Sequence, residues 1–305
     1  MMSSSDASVV EAALHVARSH PDDLLVIVGP TASGKTALAV TLAERLGGDV
    51  VSADSVQIYR HFDIGSGKPT REQLAVAPHH LVGEIDPMDA IDAVSWADRA
   101  ARTIGEVRAR GRVPIVCGGT FLWVKALVYG LADMPAASAQ VRTVHRDIAA
   151  LEGRAALHAR LRQVDPESAG RLHPNDFVRV SRALEVFELT GKPMSIWQQE
   201  HGFKRQRRGA RLLSLACDAA TLTARIEGRV STWLARGWID EVEALLARGF
   251  GSARAMGSVG YAQVRAMLEG TISRDELGLA IVRTTRVFAR RQRTWLNHAD
   301  VAWLS

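Results

Sequence analysis

An α/β fold, a parallel sheet flanked by helices with an all-helical domain inserted into it, follows from three features of the sequence. Apolar runs of strand length recur at residues 24–28 ("LLVIV"), 50–53 ("VVSA"), 113–117 ("VPIVC") and 211–217 ("RLLSLAC"), each followed by a helical or turn pattern. That alternation predicts parallel strands covered by helices. A glycine-rich turn directly after the first run, and a strandless stretch from about 134 to 200, are the other two.

The first strand, 24–28, leads into "GPTASGKT" at 29–36, and "ALAVTLAERLGG" then reads as a helix. Gly29 and Gly34 let the backbone curl so that successive N–H groups point inward. The following helix adds the positive end of its dipole. Lys35 brings a point charge to phosphate oxygens, and Thr36 offers a hydroxyl to Mg²⁺. The whole loop, Gly29, Pro30, Thr31, Ala32, Ser33, Gly34, Lys35 and Thr36, therefore reads as a phosphate cradle, and the core as P-loop NTPase-like. By itself the loop suits ATP, with an NTPase or kinase as owner, as well as it suits another pyrophosphate.

The second strand ends in "SADSVQIYR". Asp54 sits at its carboxyl end, where α/β sheets keep their ligands. It reads either as support for Mg²⁺ or a kinase substrate, or as a general base taking a proton from a nucleophile in the cleft. The strand at 113–117 ends in "CGGTFLW", where Gly118 and Gly119 allow close backbone approach and Thr120 presents a hydroxyl.

Between about 134 and 200, "RTVHRDIAALEGRAALHARLRQVDPESAGRL" and "DFVRVSRALEVFELTG" are helical with polar turns. The strand pattern returns at 211, so residues 134–202 read as an insertion into a core of 23–133 and 203–305. Helices dominate from there to the end. Residues 1–22 read as a flexible N-terminal extension.

Composition narrows the function classes. Of 305 residues, 47% are hydrophobic and 23% charged, ordinary for a globular protein. No apolar run reaches the ~18 residues of a membrane span. The first residues lack the basic and long apolar segments of a secretion signal, so a cytoplasmic, membrane-free monomer is expected. Cys117 and Cys217 lie in apolar runs without metal-ligand spacing and read as buried reduced thiols. Residues 1–136 carry 12 Lys and Arg against 16 Asp and Glu, whereas 137–305 carry 26 against 17. That asymmetry points to a polyanion partner for the second half. Arg283, Arg286, Arg290 and Arg293 recur at helical spacing and read either as a solvated stripe or as an RNA-facing one, and "FKRQRRG" at 203–209 as a basic loop.

Six motifs, "GPTASGKT", "SADSVQIYRHFDIGSGKPT", "VPIVCGGTFLWVKAL", "HPNDFVRVSRALEVFELTGKP", "GSVGYAQV" and "TTRVFARRQRTWL", stand in the order found in bacterial tRNA dimethylallyltransferases, which the chain resembles over roughly 24–298. The resemblance implies transfer of a dimethylallyl group from dimethylallyl diphosphate to N6 of adenosine 37, in the anticodon stem-loop of tRNA, with Mg²⁺ as cofactor. It implies that the loop at 29–36 holds the donor's diphosphate with Arg229. It makes Asp54 the general base, held in the segment Ser55, Val56 and Gln57 against the target adenine. Thr120 falls near the bridging phosphate oxygen and the tRNA. Arg142 and the run Val178, Arg179, Val180, Ser181 and Arg182 fall where the family contacts tRNA.

Departures from the family's pattern are local. "GGTFLW" stands where "GGTGLY" is usual, so Phe121 and Trp123 add bulk beside the threonine, which would narrow the channel or adjust donor preference. "VGYAQ" lacks the usual Lys–Glu pair. Two other readings compete: prenyl transfer to free adenine nucleotides, which needs no helical insertion or basic second half, and a small-molecule kinase, which leaves "DSVQIY" and "GGTFLW" unexplained.

Overall fold

The computed structural model describes residues 4–203, 205–297 and 299–305. The chain divides into two compact units, Met1–Val128 with Gln206–Ser305, and Tyr129–Arg205. These boundaries lie within a few residues of those read from the sequence.

The first unit is built on a six-stranded parallel sheet in the order β3-β2-β4-β1-β5-β6. Its elements begin with α1 (Ser4–Ser19), β1 (Leu24–Val28), α2 (Lys35–Leu46) and β2 (Gly48–Ser52). There follow α3 (Arg71–Val76), β3 (His79–His80), α4 (Ala93–Ala109), β4 (Val113–Gly118) and α5 (Phe121–Tyr129). β1 and β2 are buried at every position, as a strand covered on both faces must be.

Residues 4–19 are not a flexible extension. They form α1, whose Val10, Ala13 and Leu14 are buried against Leu25, Ile27 and Leu42 in the core cluster under the sheet. The apolar residues fall at i, i+3 and i+4, the spacing of one helix face.

The second unit contains α6 (Ala139–Leu151), α7 (Arg154–Val164), α8 (Pro166–Arg171), α9 (Phe177–Thr190) and α10 (Met194–His201). Leu157, Leu161, Val180, Ala183 and Leu184 form its core. The loop at 203–209 includes Lys204, which lies outside the described residues.

The chain re-enters the sheet at β5 (Ala210–Leu215), then builds α11 (Ala219–Ala235), α12 (Trp238–Ala247), α13 (Tyr261–Leu268), α14 (Arg274–Leu296) and β6 (Ala302–Leu304). The return to a strand at β6 was not expected. Cys217 lies beyond the end of β5 and is half-buried, unlike Cys117, which is buried within β4; both are free thiols. No helix among the described residues is long and apolar enough to cross a membrane.

Candidate active site

Three parallel strands, β2, β4 and β1, lie side by side, so the loops that follow them emerge together at the carboxyl end of the sheet. Those loops carry Asp54, Thr120 and the glycine-rich turn. The turn curls through left-handed backbone at Ala32 (φ 65°) and Gly34 (φ 96°). It delivers the chain into α2, whose first turn has no side-chain cap and no acidic residue. The N–H groups at this helix start therefore point at any anion placed before them.

Close approach of the β2 and β4 ends depends on Gly118. A Cβ there would stand 2.1 Å from the Ala53 carbonyl oxygen. With glycine in place, Ala53 donates to the Cys117 carbonyl at 2.8 Å and accepts from the Thr120 N–H at 3.1 Å. The Thr120 hydroxyl oxygen then accepts from the Ser55 N–H at 3.0 Å. Asp54 Oδ1 accepts from the N–H groups of Val56 (2.9 Å) and Gln57 (3.1 Å), an Asx turn that fixes the carboxylate and leaves Oδ2 unengaged by those bonds. The Gln57 side chain donates to the carbonyls of Ser66 and Gly67 at 3.2 and 2.9 Å, tying the segment to the loop at 63–70.

A cavity of about 690 Å³ opens here, lined by Lys35, Thr36, Asp54, Thr120 and Arg229 at its polar end and by Val230, Trp233, Trp238, Ile281 and Phe288 elsewhere. Thr31, Ala32, Gly34, Ser55, Val56 and Gln57 also line it, whereas Gly29, Pro30 and Ser33 do not. Burial lowers the pKa of Lys35, with the charge of Asp54 acting in the opposite sense. Burial lowers that of Arg229 too. Lys35 Nζ donates to the Pro30 carbonyl at 3.3 Å and Arg229 Nη1 to the Thr31 hydroxyl at 3.2 Å. Among the described residues neither cation forms an ion pair. Two desolvated cations outside any close ion pair, beside an uncapped helix start, favour an anion.

The far wall is locked. Trp238 sits between Gly65 and Gly260, where an added Cβ would come within 1.9 Å and 2.1 Å of its ring. Trp233 meets it edge-on, with centroids 5.4 Å apart. Glu241 on α12 accepts from the backbone N–H groups of Asp63 and Ile64 at 3.1 and 2.6 Å, and from the Tyr261 hydroxyl at 2.6 Å. Burial, reinforced by the Glu241 charge, pushes the Tyr261 phenol far above its ordinary value, so it stays a donor.

Phe121 and Trp123 do not narrow the channel. Both are buried: Phe121 stacks on Trp295 at 4.1 Å and Trp123 on Trp96 at 5.1 Å. The added bulk fills the core behind the loop. Arg283, Arg286, Arg290 and Arg293 do share a face of α14, around a groove of about 450 Å³ whose lining contains no acidic residue.

The second unit separates the residues expected to meet tRNA. Val178 is 76% exposed and the Arg179 side chain 72%. Val180 and Ser181 are buried, at 1% and 3%, which corrects the expectation for their side chains: Val180 fills the core, and the Ser181 hydroxyl bonds His145. Arg142 and Arg182 clamp the buried Glu185, at 3.0 and 2.6 Å. Burial opposes ionisation of Glu185, but the bonds from both arginines and from the Ser138 N–H outweigh it and hold its pKa below the ordinary value.

Arg225, which donates to the Ser33 carbonyl at 3.2 Å, and Gln292, which reaches both the Thr31 N–H and the Gly119 carbonyl, carry no motif signal that marks these bonds. Both sit on C-terminal helices that only the fold brings to the loop.

Fold and site together define a P-loop α/β protein with a cationic cradle beside a carboxylate. The IPP transferase family matches residues 57–299, and the isopentenyl transferase family matches 22–85. The tRNA dimethylallyltransferase of Sorangium cellulosum strain So ce56 is 62% identical over 95% of this chain and 92% of its own. That of Myxococcus xanthus strain DK1622 is 47% identical over 90% and 89%. The full-length tRNA isopentenylpyrophosphate transferase of Bacillus halodurans superposes with a TM-score of 0.66 at 35% identity, covering 92% of this chain and 89% of that one. The chain belongs to the IPP transferase family.

Proposed function

We propose that this protein transfers the dimethylallyl group of dimethylallyl diphosphate to N6 of adenosine 37 in the tRNA anticodon stem-loop, acting as a cytoplasmic monomer. The carrying observation is the presence, in one cavity, of Lys35 and Arg229, two desolvated cations outside any close ion pair, with the fixed carboxylate of Asp54.

The diphosphate lies against the 29–36 loop, the start of α2, Lys35 and Arg229. The adenine N6 approaches donor C1 from the side of Asp54 and Thr120. The new N6–C1 bond forms as the C1–O bond breaks, the N6 proton passes to Asp54 Oδ2, and pyrophosphate leaves with the bonding electron pair. N6 is a weak nucleophile because its lone pair is delocalised into the ring. Two aids follow from the residues present: a carboxylate to accept the proton, and preorganised cations and N–H groups for the charge growing on the leaving group. The apolar wall of Trp233, Trp238 and Phe288 excludes water from the allylic carbon as it gains positive charge.

Thr36 lines the cavity, and no cluster of three or more His, Cys, Asp or Glu able to hold a metal occurs among the described residues. That set fits Mg²⁺, which keeps several waters and binds chiefly through substrate phosphates. Thr36 Oγ1 and the diphosphate would hold it, and it would neutralise charge on the leaving group.

For the RNA, the exposed Arg179 and the arginines of α14 supply phosphate contacts. Adenosine 37 leaves its stack to enter the cavity, at a cost of a few kcal/mol that those contacts offset.

The test is direct. The protein is incubated with Mg²⁺, dimethylallyl diphosphate and unmodified tRNA bearing A36-A37-A38, and the digested nucleosides are weighed. A five-carbon prenyl mass on adenosine is expected. Prenylation of AMP in a parallel reaction with none on tRNA would overturn the choice of acceptor.

A further inference from the structure

We propose that Gln292 is a positioning residue that sets the separation between donor and acceptor during transfer; this rests on the function proposed above. The site is made of two halves on different loops. One half holds the diphosphate: the 29–36 loop, with Arg229 bonded to the Thr31 hydroxyl. The other holds the adenine: Asp54, Ser55 and Thr120, joined through the Ala53 carbonyl and the Thr120 hydroxyl. Gln292 bonds to both. Its Oε1 accepts from the Thr31 N–H at 2.8 Å, and its Nε2 donates to the Gly119 carbonyl at 3.0 Å.

The chemistry of the side chain is specific to this task. One bond needs an acceptor and the other a donor, spaced as in a single primary amide. A carboxylate could meet Thr31 but would face the Gly119 carbonyl oxygen with a second acceptor, and its charge would oppose the diphosphate. A cation could meet Gly119 but would leave the Thr31 N–H without an acceptor. The two partners also fix which end of the amide is oxygen.

The joint is rigid. Gln292 is only 6% exposed. At Gly119 a Cβ would stand 2.5 Å from Gln292 Nε2, so a side chain there would push the amide off its bond. One turn further along α14, Trp295 stacks on Phe121, the residue after Thr120, at 4.1 Å and 6°. The added bulk of Phe121 thus anchors the helix that carries Gln292. Reaction geometry tolerates little slack, and a misplacement of about 1 Å costs on the order of 100-fold in rate.

The experiment measures single-turnover prenyl transfer with saturating dimethylallyl diphosphate and tRNA, separating rate constant from amplitude, alongside donor affinity by equilibrium binding. Gln292→Leu removes both bonds, and Gln292→Asn keeps the amide but shortens its reach. The expected result is a rate constant lowered about 10- to 100-fold in each, with donor affinity within about threefold of the wild type. A merely structural role would reduce the amplitude, the fraction of active enzyme, and leave the rate constant unchanged; that result overturns the proposal. Donor affinity falling as far as the rate overturns it also, because Gln292 would then brace the diphosphate loop alone. Failure of the wild type to prenylate tRNA would instead overturn the proposed function.

Discussion

Replacing Asp54 separates its two jobs. Its Oδ1 holds the turn through the N–H groups of Val56 and Gln57, whereas the transfer reaction needs a basic oxygen. Asp54→Asn keeps a carbonyl oxygen where Oδ1 stands and removes the basicity together with the negative charge felt by Lys35. Its stability is expected to stay within about 1 kcal/mol of the wild type, since both hydrogen bonds to the turn survive. Its single-turnover rate is expected to fall about 10²- to 10⁴-fold, the usual contribution of a positioned general base. Asp54→Ala loses the turn as well and is expected to cost a further 1–2 kcal/mol or so, about 2–3 °C in melting temperature for a chain of this size. Single-turnover transfer, tRNA binding by filter retention and thermal melting make the three readouts. An Asn variant retaining a tenth or more of the wild-type rate would refute the base role. So would tRNA affinity falling in step with the rate.

Other outcomes follow from particular side chains. Burial pushes the Cys117 thiol up to about 11, so at pH 8 an alkylating reagent is expected to label Cys217 and spare Cys117 in the folded protein; equal labelling by mass spectrometry would contradict the packing of β4. Gly65→Ala places a Cβ 1.9 Å from the Trp238 ring and is expected to destabilise the fold by about 1–3 kcal/mol, read by denaturant melts. Glu185 has its pKa lowered on folding, so its ionised form stabilises the fold above its unfolded value near ~4.3 and that contribution is lost as pH falls through the lower folded value. Gln in its place is expected to flatten the acid limb of stability against pH, with the destabilisation largest at neutral pH. Exchanging Arg283 and Arg286 for Ala is expected to reduce the salt dependence of tRNA binding by roughly 0.7–0.9 in log–log slope for each phosphate no longer neutralised, and to leave donor affinity unchanged; an unaltered slope would place the RNA elsewhere.

The parts of the molecule legible in the sequence are those whose signal is local. "LLVIVGPTASGKT" announces its strand, turn and helix start because apolar run, glycine and lysine adjoin one another. Asp54 and Thr120 were readable because each ends a strand of the same sheet. β3 and β6 were not, being two and three residues long, too short for any alternation to show. α1 was legible in principle: Val9, Val10, Ala13, Leu14 and Ala17 repeat at helical spacing behind a polar start. Gln292 and Glu241 were out of reach for a different reason. Their value lies in backbone groups more than 170 positions away, and nothing beside them in the chain records that distance. Val180 and Ser181 were missed for a nearer cause: their burial is settled by how α9 packs on α6 and α7.

Trp238 held between Gly65 and Gly260 has a historical consequence. A methyl group at either glycine collides with the ring, while a smaller residue at 238 opens a void between the two backbones. Neither change is easily made first, yet a smaller ring with an alanine at position 65 refills the space, whereas Gly260, at φ 91°, is held to glycine by its backbone as well. Positions 65 and 238, far apart in the chain, should therefore drift as a pair, and a substitution at 65 harmless in one relative should be damaging when moved into another with a different residue at 238.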